Sequence, residues 1–532
     1  MAVAGTHRMA ATIRSRILAA LVLIGVGLAP PARALEPVVQ GPESVAEWYA
    51  AGNRFIEASD RLPDTRRPAK NVILFVGDGM GISTLTAARI LEGQLAGHPG
   101  EESRLSFETF PNVALSKTYS WDQQTPDSAP TMTAMATGYK AREGMLSVDH
   151  LTARGECSAA VTQAHALKSI LEYAAESGRS TGIVTTARLT HATPAALYAH
   201  IAFRDWEADS NQPESSNGAL CRGAELGVKD IARQLIEVSP AVRRSLKVAL
   251  GGGRSYFVPA THEGAPVFDP EYPTTRGRRA DGRDLTAEWL TSRGPAAAYV
   301  WNQSQLAAID TTRTSHLLGL FEPSHMQYEA DRSRDGAGEP SLTEMTAKSL
   351  QMLGKDRKGY FLHVEGGRID HGHHAGNAQR ALLETIEFAK AVRYAMDHTD
   401  ARDTLIIVTA DHSHTFTIAG YPGRGNPILG LVREVPATDG APLAPSKDAN
   451  GLPYTTLGYA NGPGYRAGGR PDLTRVDTTG LDFLQEAAVP LGSETHGGED
   501  VAIYARGPGS HRVHGSMEQN WIFHVMRRAL GL

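Results

Sequence analysis

Residues 360–374 read YFLHVEGGRIDHGHH. Tyr360-Phe361-Leu362 is an aromatic and apolar run of the kind that fills a buried strand, and behind it come Glu365, Asp370, His371, His373 and His374. So many carboxylates and imidazoles at one strand end repel each other or go unpaired, and both are costly once half-buried. A divalent cation satisfies that many oxygen and nitrogen donors at once. Asp370 and His374 stand four residues apart, so a helical turn aims both at one spot.

The same design recurs on either side. NVILFV at 71–76 stops at Gly77-Asp78-Gly79, and TLIIVT at 404–409 stops at Ala410-Asp411-His412-Ser413-His414. TGIVTT at 181–186 leads through Arg188 to His191 and Thr193, and a later strand is expected at 501–505 behind Glu494-Thr495-His496. Helical spacing covers 83–95, 164–177, 341–353 and 378–397. Buried strands alternating with helices predict an α/β fold, a central mostly parallel sheet flanked by helices. In such sheets the active crevice runs along the C-terminal strand ends, where these side chains fall.

The bulk of the chain fits this reading. It has 532 residues, 41% hydrophobic and 21% charged, with a net charge of −5. No basic stretch suits nucleic acid, so no nucleic-acid-binding module is expected. Arg14 and Arg16 precede an apolar run from Ile17 to Pro30 and then Ala32-Arg33-Ala34, which predicts a signal peptide over 1–34 and an exported protein, periplasmic or secreted. No Cys follows that run and HVMRRALGL at the end offers no hydrophobic tail, so no membrane anchor is expected. Residues 35–66 form an N-terminal arm with a short amphipathic helix over 44–58, carrying Val45, Trp48, Tyr49 and Phe55. Residues 67–532 read as the main domain. Within it 250–280 are rich in Gly, Pro and Arg and read as an excursion from the core, and 421–475 as a small inserted subdomain. LGGGR at 250–254 lacks the Lys-Ser/Thr pair of a phosphate loop and reads as a tight turn. Cys157 and Cys221, the two cysteines, could be a disulfide or two free thiols.

A nucleophile is suggested by Thr125-Pro126-Asp127-Ser128-Ala129-Pro130 ahead of the small-residue helix TMTAMATG. Ser128 stands at the helix start, where free N–H groups favour an anion. A plain N-cap serine is the competing reading. No Ser-His-Asp elbow stands elsewhere in the chain, and a hydroxyl beside a metal cluster gains nucleophilicity.

Taken together, GDGMG from Gly77, PDSA from Pro126, His191-Ala192-Thr193-Pro194, VEGGRIDHGHH from Val364, TADHSH from Thr409 and ETHGGEDV from Glu494 resemble the active-site segments of alkaline phosphatases, specifically the animal-type branch. The resemblance runs in order from about Asn71 to the end. It implies hydrolysis of phosphate monoesters, with broad specificity, through a phosphoserine at Ser128. One zinc would be held by Asp370, His374 and His496, and a second by Asp78, Asp411 and His412 with Ser128. A magnesium would be held by Asp78, Thr193 and Glu365. Arg204 would clamp phosphate, oriented by Asp127, with His191 and His371 nearby. A Cys157–Cys221 disulfide is implied, as is a calcium at Glu271, the Phe321 carbonyl, Glu322 and Glu339, this last behind a short insertion and where Asp is more usual. The excursion then extends over about 250–340, the insertion becomes a crown-like subdomain over about 421–490, and the arm embraces a partner in a homodimer. The alternatives are a phosphodiesterase or sulfatase on the same metal scaffold, or an inert metal- or phosphate-binding protein. Asp127-Ser128 together with Arg204 argues against all of these.

Overall fold

The computed structural model describes residues 65–222, 227–438 and 443–532. The signal-peptide segment and the helix expected over 44–58 lie outside them.

Ten strands form one sheet: β1 (Asn71–Gly77), β2 (Asn112–Lys117), β3 (Ser180–Arg188), β4 (Leu246–Gly252), β5 (Ala297–Val300), β6 (His316–Leu320), β7 (Tyr360–Gly366), β8 (Thr404–Ala410), β9 (Val501–Arg506) and β10 (Gly515–Glu518). Their order is β10-β2-β9-β8-β1-β7-β3-β4-β6-β5. All neighbours pair in parallel except β9, which runs antiparallel to β8 and to β2. β1, β7 and β8 are buried along their whole length, as strands covered on both faces must be. β2, nearer the edge, alternates buried and exposed positions instead.

The flanking helices that carry the argument are α1 (Ile82–Leu95), α2 (Ser128–Thr137), α3 (Leu342–Leu353), α4 (Arg368–His374), α5 (Ala378–Asp397) and α6 (Trp521–Ala529). Side chains alternate along β1, so Val72, Leu74 and Val76 pack with Met132 and Met135 of α2 and Phe523 and Met526 of α6. Ile73 and Phe75 face the other way, toward Leu85 of α1, Met345 of α3 and Leu382 and Phe388 of α5. Two apolar layers therefore clamp the central strands and hold their C-terminal ends rigid.

Three expectations need correction. Residues 164–177 are not one helix. Ala159–Ala164 and Ile170–Glu176 are separate, because Ser169 starts a new helix. Its hydroxyl accepts the Glu172 N–H at 3.2 Å, and the Glu172 carboxylate accepts the Ser169 N–H at 2.8 Å. The excursion expected from 250 begins later, since Leu250–Gly252 close β4 between β3 and β6. Finally, β7 runs on through Glu365, which is a strand residue rather than a loop residue beyond the strand.

Residues 421–475 lie between Phe416–Ile418 and Ala487–Pro490, which join Leu457–Gly462 in a small three-stranded sheet. Among the described residues no helix is long and apolar enough to cross a membrane.

Candidate active site

Sheet register assembles the site. Val76 pairs with Glu365 and Gly77 with Ala410, so Asp78, Glu365 and Asp411 emerge side by side from β1, β7 and β8. Glu365 in turn pairs with Thr185 of β3, whose hydroxyl donates to it at 2.5 Å. Gly79 has φ +67 and sits where a Cβ would come within 2.3 Å of His414 Nε2, which explains the glycine of GDGMG.

Ser128 is the first residue of α2. Its Oγ lies 3.3 Å from Asp78 Oδ1 and 3.2 Å from His412 Nε2. Asp127 occupies the N-cap position, yet its side chain caps nothing. Asp127 Oδ2 instead accepts from Arg204 at 2.8 Å, and Oδ1 from the Gly144 N–H at 3.3 Å. A residue suited to capping has been given to orienting an arginine. Asp127 keeps that guanidinium charged against the opposing effect of burial. The second Arg204 amine donates to His191 Nε2 at 2.8 Å.

Three donor sets that include a carboxylate converge among the described residues of this edge: Asp370, His374, His414 and His496; Asp78, Asp411 and His412; and Asp78, His191 and Glu365. Hydrogen bonding tests whether cations fit them. His374 Nδ1 donates to the Glu494 carbonyl at 2.5 Å, and His496 Nδ1 to the Pro126 carbonyl at 2.7 Å. Each proton is thereby placed on Nδ1, and the bare Nε2 atoms face each other at 3.1 Å. Both also lie near Asp370 Oδ1, at 3.3 and 3.4 Å. Two lone pairs and a carboxylate around one point are repulsive without a cation, and suit zinc. In the second set burial holds His412 neutral, with Nε2 3.3 Å from both Asp78 and Asp411. At the third, Asp78 Oδ2 and Glu365 Oε1 are buried without a hydrogen-bond partner, as is the hydroxyl of Thr193, which bears on Glu365, an oxygen-rich arrangement that suits magnesium.

Electrostatics agrees. Burial, with Asp411 and Asp370 close by, pushes the Asp78 carboxyl well above its ordinary range. Burial likewise lifts Asp411, and lifts Glu365 to about 8. These groups are stable as anions only beside positive charge.

His414 stands in the TADHSH segment, whose reading gives it no catalytic role. It is fully buried, with Nε2 2.8 Å from Asp370 and Nδ1 2.6 Å from Glu494. Burial opposes its charge, but those two hydrogen bonds push it up to about 9. It thus orients Asp370. Gln519, beyond every motif, donates to the Asp411 carbonyl at 2.6 Å. The motif TADHSH contained His414, whereas Gln519 carries no signal in the sequence.

Away from this edge, Glu271 and Glu322 converge with Asp335. Asp335, not among the expected ligands, completes that group. Glu339 is buried nearby with both oxygens unpartnered, its carboxyl raised to about 9 by burial and by Glu322. Phe321, whose carbonyl was the fourth expected ligand, is buried at the end of β6. Cys157 and Cys221 form a disulfide with Cα atoms 4.8 Å apart.

Comparison with known proteins agrees with this geometry. The family model described as alkaline phosphatase matches residues 69–532. The chain is 48% identical over 468 residues to the tissue-nonspecific isozyme of alkaline phosphatase from Gallus gallus, spanning 87% of this chain and 84% of that protein. It is 47% identical over 468 residues to the Homo sapiens isozyme, spanning 87% and 83%. Among solved structures, alkaline phosphatase from Thermus thermophilus matches with a TM-score of 0.60 at 24% identity, over 89% of this chain and 93% of that one, a likeness of fold.

Proposed function

This chain belongs to the alkaline phosphatase family and hydrolyses phosphate monoesters, and we propose that it does so through a phosphoserine formed at Ser128. The observation that carries this is the placement of the Ser128 hydroxyl between Asp78 and His412, next in sequence to the aspartate that holds Arg204.

Asp370, His374 and His496 would hold one zinc, and Asp78, Asp411 and His412 a second beside Ser128. Asp78, Thr193 and Glu365 would hold magnesium. Bound there, the cations would neutralise the dianionic substrate and favour ionised oxygen nucleophiles and leaving groups near neutral pH. The residues of the chain do the rest. Arg204 grips two phosphoryl oxygens with its planar fork, held in line by Asp127. Ser128 Oγ attacks phosphorus as the bond to the leaving oxygen breaks, and the alcohol departs. Water then attacks phosphoserine, freeing Ser128 and inorganic phosphate. Two in-line displacements give net retention at phosphorus. His191 backs Arg204, and His371 lines the phosphate pocket. Every group named addresses the phosphoryl end, which supports broad specificity for the leaving group.

Glu271, Glu322 and Asp335, with Glu339 adjoining, would hold calcium, since their donors are all oxygen and come from irregular segments. Residues 67–532 form the catalytic domain in this reading, with the calcium-site excursion at about 250–340. Tyr421, Val435, Leu443 and Val489 are exposed apolar side chains in the crown-like insertion, which supports a homodimer contact there. The leader-like residues 1–34 and the disulfide support export, periplasmic or secreted.

The test is chemical trapping. Protein mixed with labelled phosphate and quenched in acid should carry the label on Ser128, and Ser128→Ala should carry none while keeping its metals. Label on another residue would overturn the assignment.

A further inference from the structure

His325 belongs to none of the donor sets assigned above, yet its imidazole lies against two histidines of the phosphate pocket. One nitrogen from each of His191, His325 and His371 lies within 4.8 Å of the others. The His325 ring meets His371 at 4.1 Å between centroids, inclined at 61°, and meets His191 at 5.2 Å, inclined at 80°. These are edge-on ring contacts of the attractive kind.

The arginines around the cluster say what the imidazoles can do. Arg368 donates to His371 Nδ1 at 3.1 Å, so the His371 proton is on Nε2, the nitrogen on the Asp370 side. Arg204 donates to His191 Nε2 at 2.8 Å, which leaves the proton on Nδ1. Two of the three rings thus present N–H donors, which argues against a further cation among them. A wedge that holds donors toward an anion fits better.

His325 is itself firmly held. Its Nδ1 accepts the Arg188 backbone N–H at 3.3 Å, and its Nε2 abuts the Arg188 guanidinium. That guanidinium is fixed by two hydrogen bonds of 2.7 Å to Glu207. The loop that carries His325 is pinned across the ends of β3 and β4. Gly253 N–H donates to the Ser324 carbonyl at 2.6 Å, Arg254 N–H to Glu322 at 2.8 Å, and Met326 N–H to Thr186 at 3.0 Å. A Cβ on Gly252 would come within 2.1 Å of the Ser324 carbonyl, so the glycine admits the loop at that height. A side chain braced this way acts as a rigid support for what it touches.

We infer that His325 is a positioning residue: it holds the His371 ring, through their edge contact, in the orientation that presents its Nε2–H to bound phosphate. The inference rests on the reading that His371 lines the phosphate pocket. It adds a residue from a loop that contains no metal-site motif and that begins at Glu322, a carboxylate of the peripheral cluster.

The experiment is a double-mutant cycle on the zinc- and magnesium-loaded enzyme, read as the inhibition constant of inorganic phosphate. Expected results are a ~3–10-fold weaker inhibition in His325→Ala, the range for losing an edge-on ring contact, with zinc and magnesium content unchanged. In the His371→Ala background, adding His325→Ala should change nothing further. His325→Gln keeps an acceptor for Arg188 but loses the ring, so it should weaken phosphate as His325→Ala does while melting near the wild type. It decides the matter if the alanine variant folds poorly. Unchanged phosphate inhibition in His325→Gln, or a full additional effect on top of His371→Ala, would overturn the inference. A silent His371→Ala would bring down the phosphate-pocket reading and this inference with it. A strong His371→Ala effect beside a silent His325→Gln would bring down this inference alone.

Discussion

The centre at Ser128 and the cluster around Glu322 both bury carboxylates, but they are built from different materials. At Ser128 the donors other than His414 and His496 come from the ends of β1, β3, β7 and β8 or the turn just past them, and the site mixes oxygen with imidazole nitrogen. Around Glu322 the donors are all carboxylate, and they come from loops beyond β4 and β6. Rigid strand ends and nitrogen donors suit zinc and fixed chemistry, while oxygen donors on loops suit a hard ion of flexible geometry. The first region should therefore decide turnover and the second thermal stability.

The strongest way to break this division is Asp78→Ala. Asp78 belongs to two donor sets and accepts the Ser128 hydrogen bond. Turnover of a monoester should drop to background, with loss of both zinc and magnesium by elemental analysis. Retention of substantial activity would mean that the two sets are not one centre. Arg204→Ala comes next. Two charge-assisted hydrogen bonds to phosphate, at roughly 1.5–3 kcal/mol each, predict at least ~10²-fold weaker phosphate inhibition. Metal content should be unchanged, and an unaltered inhibition constant would count against the clamp.

Glu322→Ala tests the other region. At moderate temperature kcat should stay near wild type, while Tm falls and no longer responds to calcium. The pH dependence has a definite sign. Without a cation, burial lifts Glu271 and Glu322 to about 7 and Glu339 to about 9. The folded protein then holds protons that the unfolded chain has released, so stability falls as pH rises from about 5 to about 9. With zinc and magnesium restored after chelation, added calcium should raise Tm more at pH ~8 than at pH ~5.5. Equal shifts at both pH values would disconnect those carboxyls from the ion.

The smallest expected change belongs to the disulfide, which touches neither region. Its residues are 64 apart, and the chain-entropy model gives about 4 kcal/mol for such a loop. Spread over so long a chain, that moves Tm in Cys157→Ser by only a few degrees. A loss of zinc in that variant would show that the disulfide shapes the active centre after all.

The two regions also differ in how far sequence alone could reveal them. Asp78, Asp411, Glu365, Asp370 and His374 sit at or just past buried apolar runs, and parallel register brings such ends together whatever the helices between do. Apolar runs therefore make the sheet and these strand-end donors legible, whereas the roles of Ser128, Arg204 and His496 rest on the resemblance to alkaline phosphatases. Asp335 depends on how an irregular loop folds back on Glu271 and Glu322, and no periodicity encodes that. His325 and Gln519 act through single long-range contacts of the same kind. The break between Ala164 and Ile170 turned on local capping chemistry at Ser169 that apolar spacing over 164–177 overrides on paper.

The most direct test of the division is the metal content of purified wild type and Glu322→Ala after dialysis against trace calcium, measured beside monoester turnover. The account predicts two zinc and one magnesium per chain in both, one calcium in the wild type only, and equal turnover at moderate temperature. Full turnover by zinc-free protein, or loss of zinc and turnover in Glu322→Ala, would contradict it.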